Sequence, residues 1–187
     1  MSKGHEKEKG NLKPDNTGQY DADSFNRLVL ENQEKIYSLF RRMVASHDEA
    51  DDLTQETFIK VYKNLSKFRR ESTPFTWIYR IAVNTGINYL RRQKARQYVG
   101  LDYANLKSGD NVIHNSELSA HLLQNAIKKL SPKQQMVIIL RSYQGLSFKE
   151  VANIMESTEN AAKVNFSHAL KNLKNVLENM GVSYESM

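Results

Sequence analysis

From Ser24 onward, apolar residues return every three or four positions, the spacing of helices that each bury one face. Phe25, Leu28, Val29, Ile36, Leu39, Phe40, Met43 and Val44 mark a long first helix. Asp48 is expected to cap a second helix running to about Asn64. Thr73 followed by Pro74 reads as an N-cap with proline at the first helical position, opening a third helix that runs to about Arg96. Further helices are expected from about Glu117 to Leu130, and from a capping box at Ser131 and Gln134 to Gly145. Residues 147–178 read as a helix-turn-helix. Neither strand-like alternation nor sustained heptads interrupt this pattern, so the expected fold class is all-α. Between 97 and 116 the periodicity fails around Gly100 and Ser108-Gly109-Asp110-Asn111, over a stretch longer than most loops within a domain. Two small helical domains, 23–96 and 117–180, are therefore expected on either side of a flexible linker, with polar tails at 1–22 and 181–187.

The C-terminal motif points to DNA. Ser147 and Glu150 form a capping box, and Val151, Ile154 and Met155 supply the buried side of a short helix. A turn at about Glu156-Ser157 should follow, with Thr158 as the next N-cap. Ala162, Phe166, Ala169, Leu170, Leu173, Val176, Leu177 and Met180 then form the expected buried stripe of the last helix. Its other face carries Asn160, Lys163, Val164, Ser167, His168, Lys171 and Asn175. A helix fits a major groove, where lysines can meet phosphate while short side chains approach base edges. An ordinary solvated face is the alternative.

A formal charge of +6 and a pI near 9.4 suit a polyanionic partner. With no cysteine, the chain has no disulfides, thiolate metal sites or cysteine nucleophiles, which fits a reducing cytoplasm. No apolar run approaches the roughly 20 residues that span a bilayer, so membrane insertion is not expected. Neither catalytic nor metal-binding residues are expected, and no cofactor. His47, Asp48, Asp51 and Asp52 are the nearest to a ligand cluster, but a helix start accounts for the acids and no HExxH-type spacing occurs.

Charge is distributed unevenly. Asp48, Glu49, Asp51, Asp52 and Glu56 place five acids within nine residues with no base among them. Ala50, Leu53, Thr57, Val61 and Leu65 share one face of that helix, leaving Asp48, Asp52, Gln55, Glu56 and Ile59 on the other. Ile59 is either one of the scattered apolar residues of any surface or the anchor of a face that docks onto a basic protein.

The next segment inverts the sign. Lys67, Arg69, Arg70, Arg80, Arg91, Arg92, Lys94 and Arg96 are opposed only by Glu71. Phe75, Ile78, Ala82, Thr85, Gly86 and Tyr89 can form the buried stripe, with Trp77, Arg80, Asn84, Asn88 and Arg91 facing outward. Aromatic, amide and guanidinium groups in one line suit unstacked bases. The alternative places Trp77 in the core and leaves the arginines merely solvated.

Three stretches in this order, DEADDLTQETFIKVYKN at 48–64, PFTWIYRIAVNTGINYLRR at 74–92, and 130–173 with LSPKQQMVIILRSYQGLSFKEVANIM, resemble the extracytoplasmic-function sigma factors of bacterial RNA polymerase. The resemblance covers about residues 23–180. It implies that 23–96 is sigma region 2, which binds the −10 element, and 117–180 region 4, which binds the −35 element. Asp48, Asp52, Gln55, Glu56 and Ile59 would meet the clamp helices of the polymerase largest subunit. Lys67, Phe68, Arg69 and Arg70, with Trp77, Arg80, Asn84, Asn88 and Arg91, would handle the −10 element during strand opening. Asn160, Lys163, Val164, Ser167, His168 and Lys171 would face the −35 duplex. Partners implied are core RNA polymerase, promoter DNA and an anti-sigma factor, in a bacterial cytoplasm. A stand-alone helix-turn-helix regulator would leave the acidic and basic helices without a role.

Some positions depart from the family pattern. Asn88 stands where Asp is usual, Val164-Asn165 replaces a commoner Ser-Arg pair, and His168 replaces a common Arg. The −35 surface is thus less basic than is usual, and its preferred sequence does not carry over from relatives. Ile78 follows Trp77 where primary sigma factors have adjacent aromatics, which implies weaker wedging of the duplex.

Overall fold

The computed structural model describes residues 22–44, 46–69, 71–98 and 115–182, and among these every regular element is helical. The helices are α1 (Ala22–Arg41), α2 (His47–Asn64), α3 (Pro74–Tyr98), α4 (Asn115–Lys129), α5 (Pro132–Ile138), α6 (Phe148–Ile154) and α7 (Glu159–Asn179). A 3-10 turn, Leu65–Lys67, ends α2, and a π-helical turn, Ile139–Tyr143, prolongs α5. The expected tails fall mostly on 1–21 and 183–187, and the expected linker mostly on 99–114. These ranges lie outside the described residues.

The capping boxes at Ser131 with Gln134 and at Ser147 with Glu150 are both formed, as is the Thr158 cap, whose hydroxyl accepts from Ala161 N at 3.1 Å. Asp48 does not cap α2. Ser46 does: its hydroxyl accepts from the Glu49 amide at 3.0 Å, and the Glu49 carboxylate accepts from Ser46 N at 3.4 Å. This reciprocal pair satisfies two amides that Asp48, already inside the first turn, cannot reach. Nor does α1 extend to Val44. It ends at Arg41, and Met43 and Val44 are buried in the turn that follows, since a turn lying in the core needs apolar residues as much as a helix does.

In the first half, α1 packs on α2 and both contact α3, around Ile36, Leu39, Phe40, Leu53, Phe58, Val61 and Ile78. In the second, α7 packs on α4, α5 and α6 around Met136, Val137, Val151, Ile154, Ala169 and Leu173. The halves also pack on each other, because α3 contacts α5 and α6 as well as α1 and α2, and the buried residues form one cluster. A helix covered from several directions buries more than one stripe. Accordingly Tyr79, Val83, Ile87 and Leu90 are buried beyond the expected line of α3. Gln135 is buried too, its amide donating to the Lys128 and Leu130 carbonyls, and Lys94 of α3 donates to that same Leu130 carbonyl at 2.6 Å. Burial lowers the Lys94 pKa from the ordinary lysine value.

The expected helix ending at Gly145 changes register before it stops. Gln144 N donates to the Ile139 carbonyl at 3.0 Å, a π-type bond, and Gly145 then takes φ 69°, the left-handed conformation that a helix stop asks of glycine.

Candidate functional site

Three surfaces carry the candidate residues. On α2 the buried line is Ala50, Leu53, Thr57, Phe58 and Val61, so Asp48, Asp52, Gln55 and Ile59 are exposed together, with Glu56 half-buried beside them. Ile59 is 53% exposed, and Tyr62, one turn on, is 63% exposed, with its ring edge-on to Phe25. Tyr62 was missed by sequence reasoning, although its position three residues after Ile59 puts it on the same face. Lys60 lies at the edge of that face, next to α3. Its ammonium donates to the Thr85 hydroxyl of α3 at 3.0 Å and pairs with Glu56 at 2.6 Å, so Glu56 is the acid of this face that it offsets.

The second surface spans the turn after α2 and the outer side of α3. Lys67, Arg69, Asn84, Asn88 and Arg91 are exposed, while Arg70 lies outside the described residues. Thr73 opens α3, its hydroxyl accepting from Thr76 N at 3.1 Å. Phe68 is buried, with its ring centroid 5.0 Å from that of Trp77, and Trp77 is itself half-buried against the core. Arg80 is not free to reach outward. Its Nε donates to the Asn153 carbonyl at 2.8 Å, and its guanidinium lies 3.9 Å from the Glu156 carboxylate.

The third surface is the outer face of α7. Asn160, Lys163, Val164, Ser167, His168 and Lys171 are all exposed, as the spacing predicts. Lys163 pairs with Glu159 one turn back at 2.7 Å, which lowers the Glu159 pKa. Leu170 corrects the expected stripe, being 45% exposed. It lies one residue round from Ala169, past the edge of the strip that α4, α5 and α6 cover. The turn before α7 is tight: Glu156 takes φ 51° and Ser157 N donates to the Ala152 carbonyl at 2.9 Å, so α6 and α7 are held as one unit.

An acidic face with two exposed apolar side chains, a basic face with an aromatic pair, and a helix-turn-helix now stand in one chain. Residues 28–96 match the family model described as Sigma-70 region 2, and residues 120–173 match Sigma-70, region 4. The ECF RNA polymerase sigma-E factor of Salmonella typhi is 41% identical over 148 residues, covering 73% of this chain and 77% of that protein.

The chain belongs to the extracytoplasmic-function sigma factors.

The ECF RNA polymerase sigma-E factor of Haemophilus influenzae is 33% identical over 173 residues, covering 86% of this chain and 90% of that protein. Among solved structures, the sigma factor RpoE of Bartonella quintana, in complex with the anti-sigma factor NepR, shares the fold with a TM-score of 0.63 at 23% identity, over 84% of this chain and 98% of that one. As a sigma factor, this protein directs RNA polymerase to promoters. Among the described residues no helix is long and apolar enough to cross a membrane.

Proposed function

We propose that this sigma factor divides its work among the three surfaces. The exposed face of α2, with Asp48, Asp52, Gln55, Glu56 and Ile59 and with Tyr62 as a second apolar anchor, docks on the clamp helices of the polymerase largest subunit. What carries this assignment is the pair Ile59 and Tyr62, large apolar groups left in water on the same face as Asp48 and Asp52. Acids at that density repel phosphate and favour a basic protein.

Region 2 (23–96) takes the −10 element. Lys67, Arg69, Arg70 and Arg91 neutralise backbone phosphate, and Asn84 and Asn88 bond base edges. Trp77 offers a ring to an unstacked base, backed by Phe68 from the inside, and Arg80 joins them once released from Asn153. Region 4 (117–180) takes the −35 duplex, with Lys163 and Lys171 on phosphate and Asn160, Val164, Ser167 and His168 toward the bases. Residues 97–116 serve as the tether that lets the regions reach both elements. The protein works in a bacterial cytoplasm without chemistry of its own. An anti-sigma factor is its expected inhibitor, as NepR is bound to the Bartonella quintana sigma factor.

Run-off transcription with purified core polymerase on genomic fragments, followed by mapping of start sites, tests the reading. Transcripts that start downstream of one recurring pair of elements are expected. The absence of any transcript dependent on this protein would overturn it.

A further inference from the structure

Each outward asparagine of α3 directly precedes a residue that is tied to α2. Thr85, next to Asn84, is buried, and its hydroxyl accepts from the Lys60 ammonium at 3.0 Å. Tyr89, next to Asn88, donates its hydroxyl to the Glu49 carboxylate at 2.6 Å. Both anchors on α2 are held in turn. Lys60 pairs with Glu56 at 2.6 Å, and the other oxygen of Glu49 accepts from Ser46 N at 3.4 Å in the capping box that opens the helix. Asn84 and Asn88 themselves are exposed and have no hydrogen-bond partner among the described residues, so the placement of α3 alone decides where their amides stand.

The two ties act jointly. Thr85 and Tyr89 lie one turn apart on the same side of α3, about 6 Å along its axis, while Glu49 and Lys60 stand about 16 Å apart along α2. Apolar packing between the two helices is non-directional, whereas a hydrogen bond weakens steeply once its distance or angle is wrong. A single tie would let α3 pivot about it. Two tied points on each helix fix the angle at which α3 crosses α2. Groups that recognise a ligand have to be held within about 0.5 Å and 10–20° of the productive geometry, by neighbours that are themselves fixed.

We propose that Lys60 and Tyr89 are positioning residues for promoter reading: they set α3 against α2 so that, with α2 docked on polymerase, Asn84 and Asn88 meet the −10 bases. Both act through the asparagines rather than on DNA. The inference rests on the assignment of the outer side of α3 to the −10 element.

The test compares Lys60→Met, which keeps the stem and removes the donor, and Tyr89→Phe, which removes only the hydroxyl, with Lys60→Arg as the conservative replacement. Each is assembled with core polymerase and transcribes a promoter library randomised through the −10 element, and Asn84→Ala and Asn88→Ala mark the positions that α3 reads. At those same positions Lys60→Met and Tyr89→Phe should lower base discrimination by at least about fivefold, the lower end of what one base contact supplies. Preference within a randomised −35 element should not change, and Lys60→Arg should return the −10 preference toward that of the parent. A role in stability alone lowers transcription evenly across the library and leaves every preference in place. Such an even loss, or parental preference in both Lys60→Met and Tyr89→Phe, overturns the positioning role while the −10 assignment stands. If Asn84→Ala and Asn88→Ala also keep the parental preference, the −10 assignment of α3 falls and the positioning role falls with it.

Discussion

Gly86 and Met136 meet where the two halves close. A Cβ at Gly86 would lie 2.5 Å from Met136 Cε and 2.7 Å from Met43 Cε, so the bare glycine lets a helix of one half approach a helix of the other. Both obstructing atoms are the ends of flexible side chains. Gly86→Ala should therefore cost little, because a helix-propensity gain of about 1 kcal/mol offsets the displacement of the methionines. Gly86→Leu should cost about 1–3 kcal/mol through overpacking of the same space. Urea midpoints of the two variants check this order, and a large loss for Gly86→Ala would mean that the methionines cannot move aside.

On α2, Ile59→Asp, or Asp52 and Glu56 together changed to Lys, should lower the affinity for core polymerase by at least about 30-fold, the scale of a 2 kcal/mol hot spot. Helicity by circular dichroism should not change, because the side chains of Asp52 and Ile59 lie outside the core. Tyr62→Ala should weaken binding in the same direction. Undiminished holoenzyme formation by the Ile59 and double-lysine variants would remove this face from the interface.

For α7, Lys171→Ala should weaken binding about equally on all −35 sequences and reduce the salt dependence by roughly one phosphate contact. Val164→Ser and His168→Arg should instead change which sequence is preferred, each base contact carrying about 1–3 kcal/mol of discrimination. A randomised −35 library transcribed by each holoenzyme separates the two effects. Should only the lysine variant alter the preference, another face of α7 enters the groove.

The cap of α6 predicts an acid-sensitive component of stability. Glu150 accepts from both the Ser147 amide at 2.8 Å and its hydroxyl at 2.7 Å, and these bonds to its charged form hold its pKa below the ordinary carboxylate value. Its folded pKa being depressed, the contribution is fully present above the unfolded value of about 4.5 and is lost as the pH falls through the folded value. Ser147→Ala, which also removes the N-cap, should cost about 1 kcal/mol at neutral pH and less at pH 3. Thermal unfolding at the two pH values measures it, and an equal loss at both would show that Glu150 adds nothing to the cap.

Much of the candidate site was legible because it depends on local periodicity. The acidic face of α2 and the six positions of α7 follow from counting round a helix, and the structure exposes all of them except Glu56, which is half-buried. Asn84, Asn88 and Arg91 follow from the same count on α3. The cap of α2 was also open to reading, in Ser46 and Glu49, but the run of acids drew attention to Asp48. Trp77 and Arg80 were legible only in part. Their position on the helix is as expected, yet Phe68 packs on one and Asn153 holds the other, and both partners come from outside the turn of helix that periodicity describes.

By itself the sequence determined the helices, their caps and the face each turns from the core, since these depend on propensity and on spacings of three and four residues. The family followed from three such stretches in order. Only the tertiary structure decided that the halves close on each other, that α3 is buried between them, and that Gln144 joins Tyr79 to Ser38. Those contacts link residues 65 and 106 positions apart, and no local pattern encodes such a pairing. It arises when two apolar surfaces, each already formed by its own helices, find less exposed area together than apart.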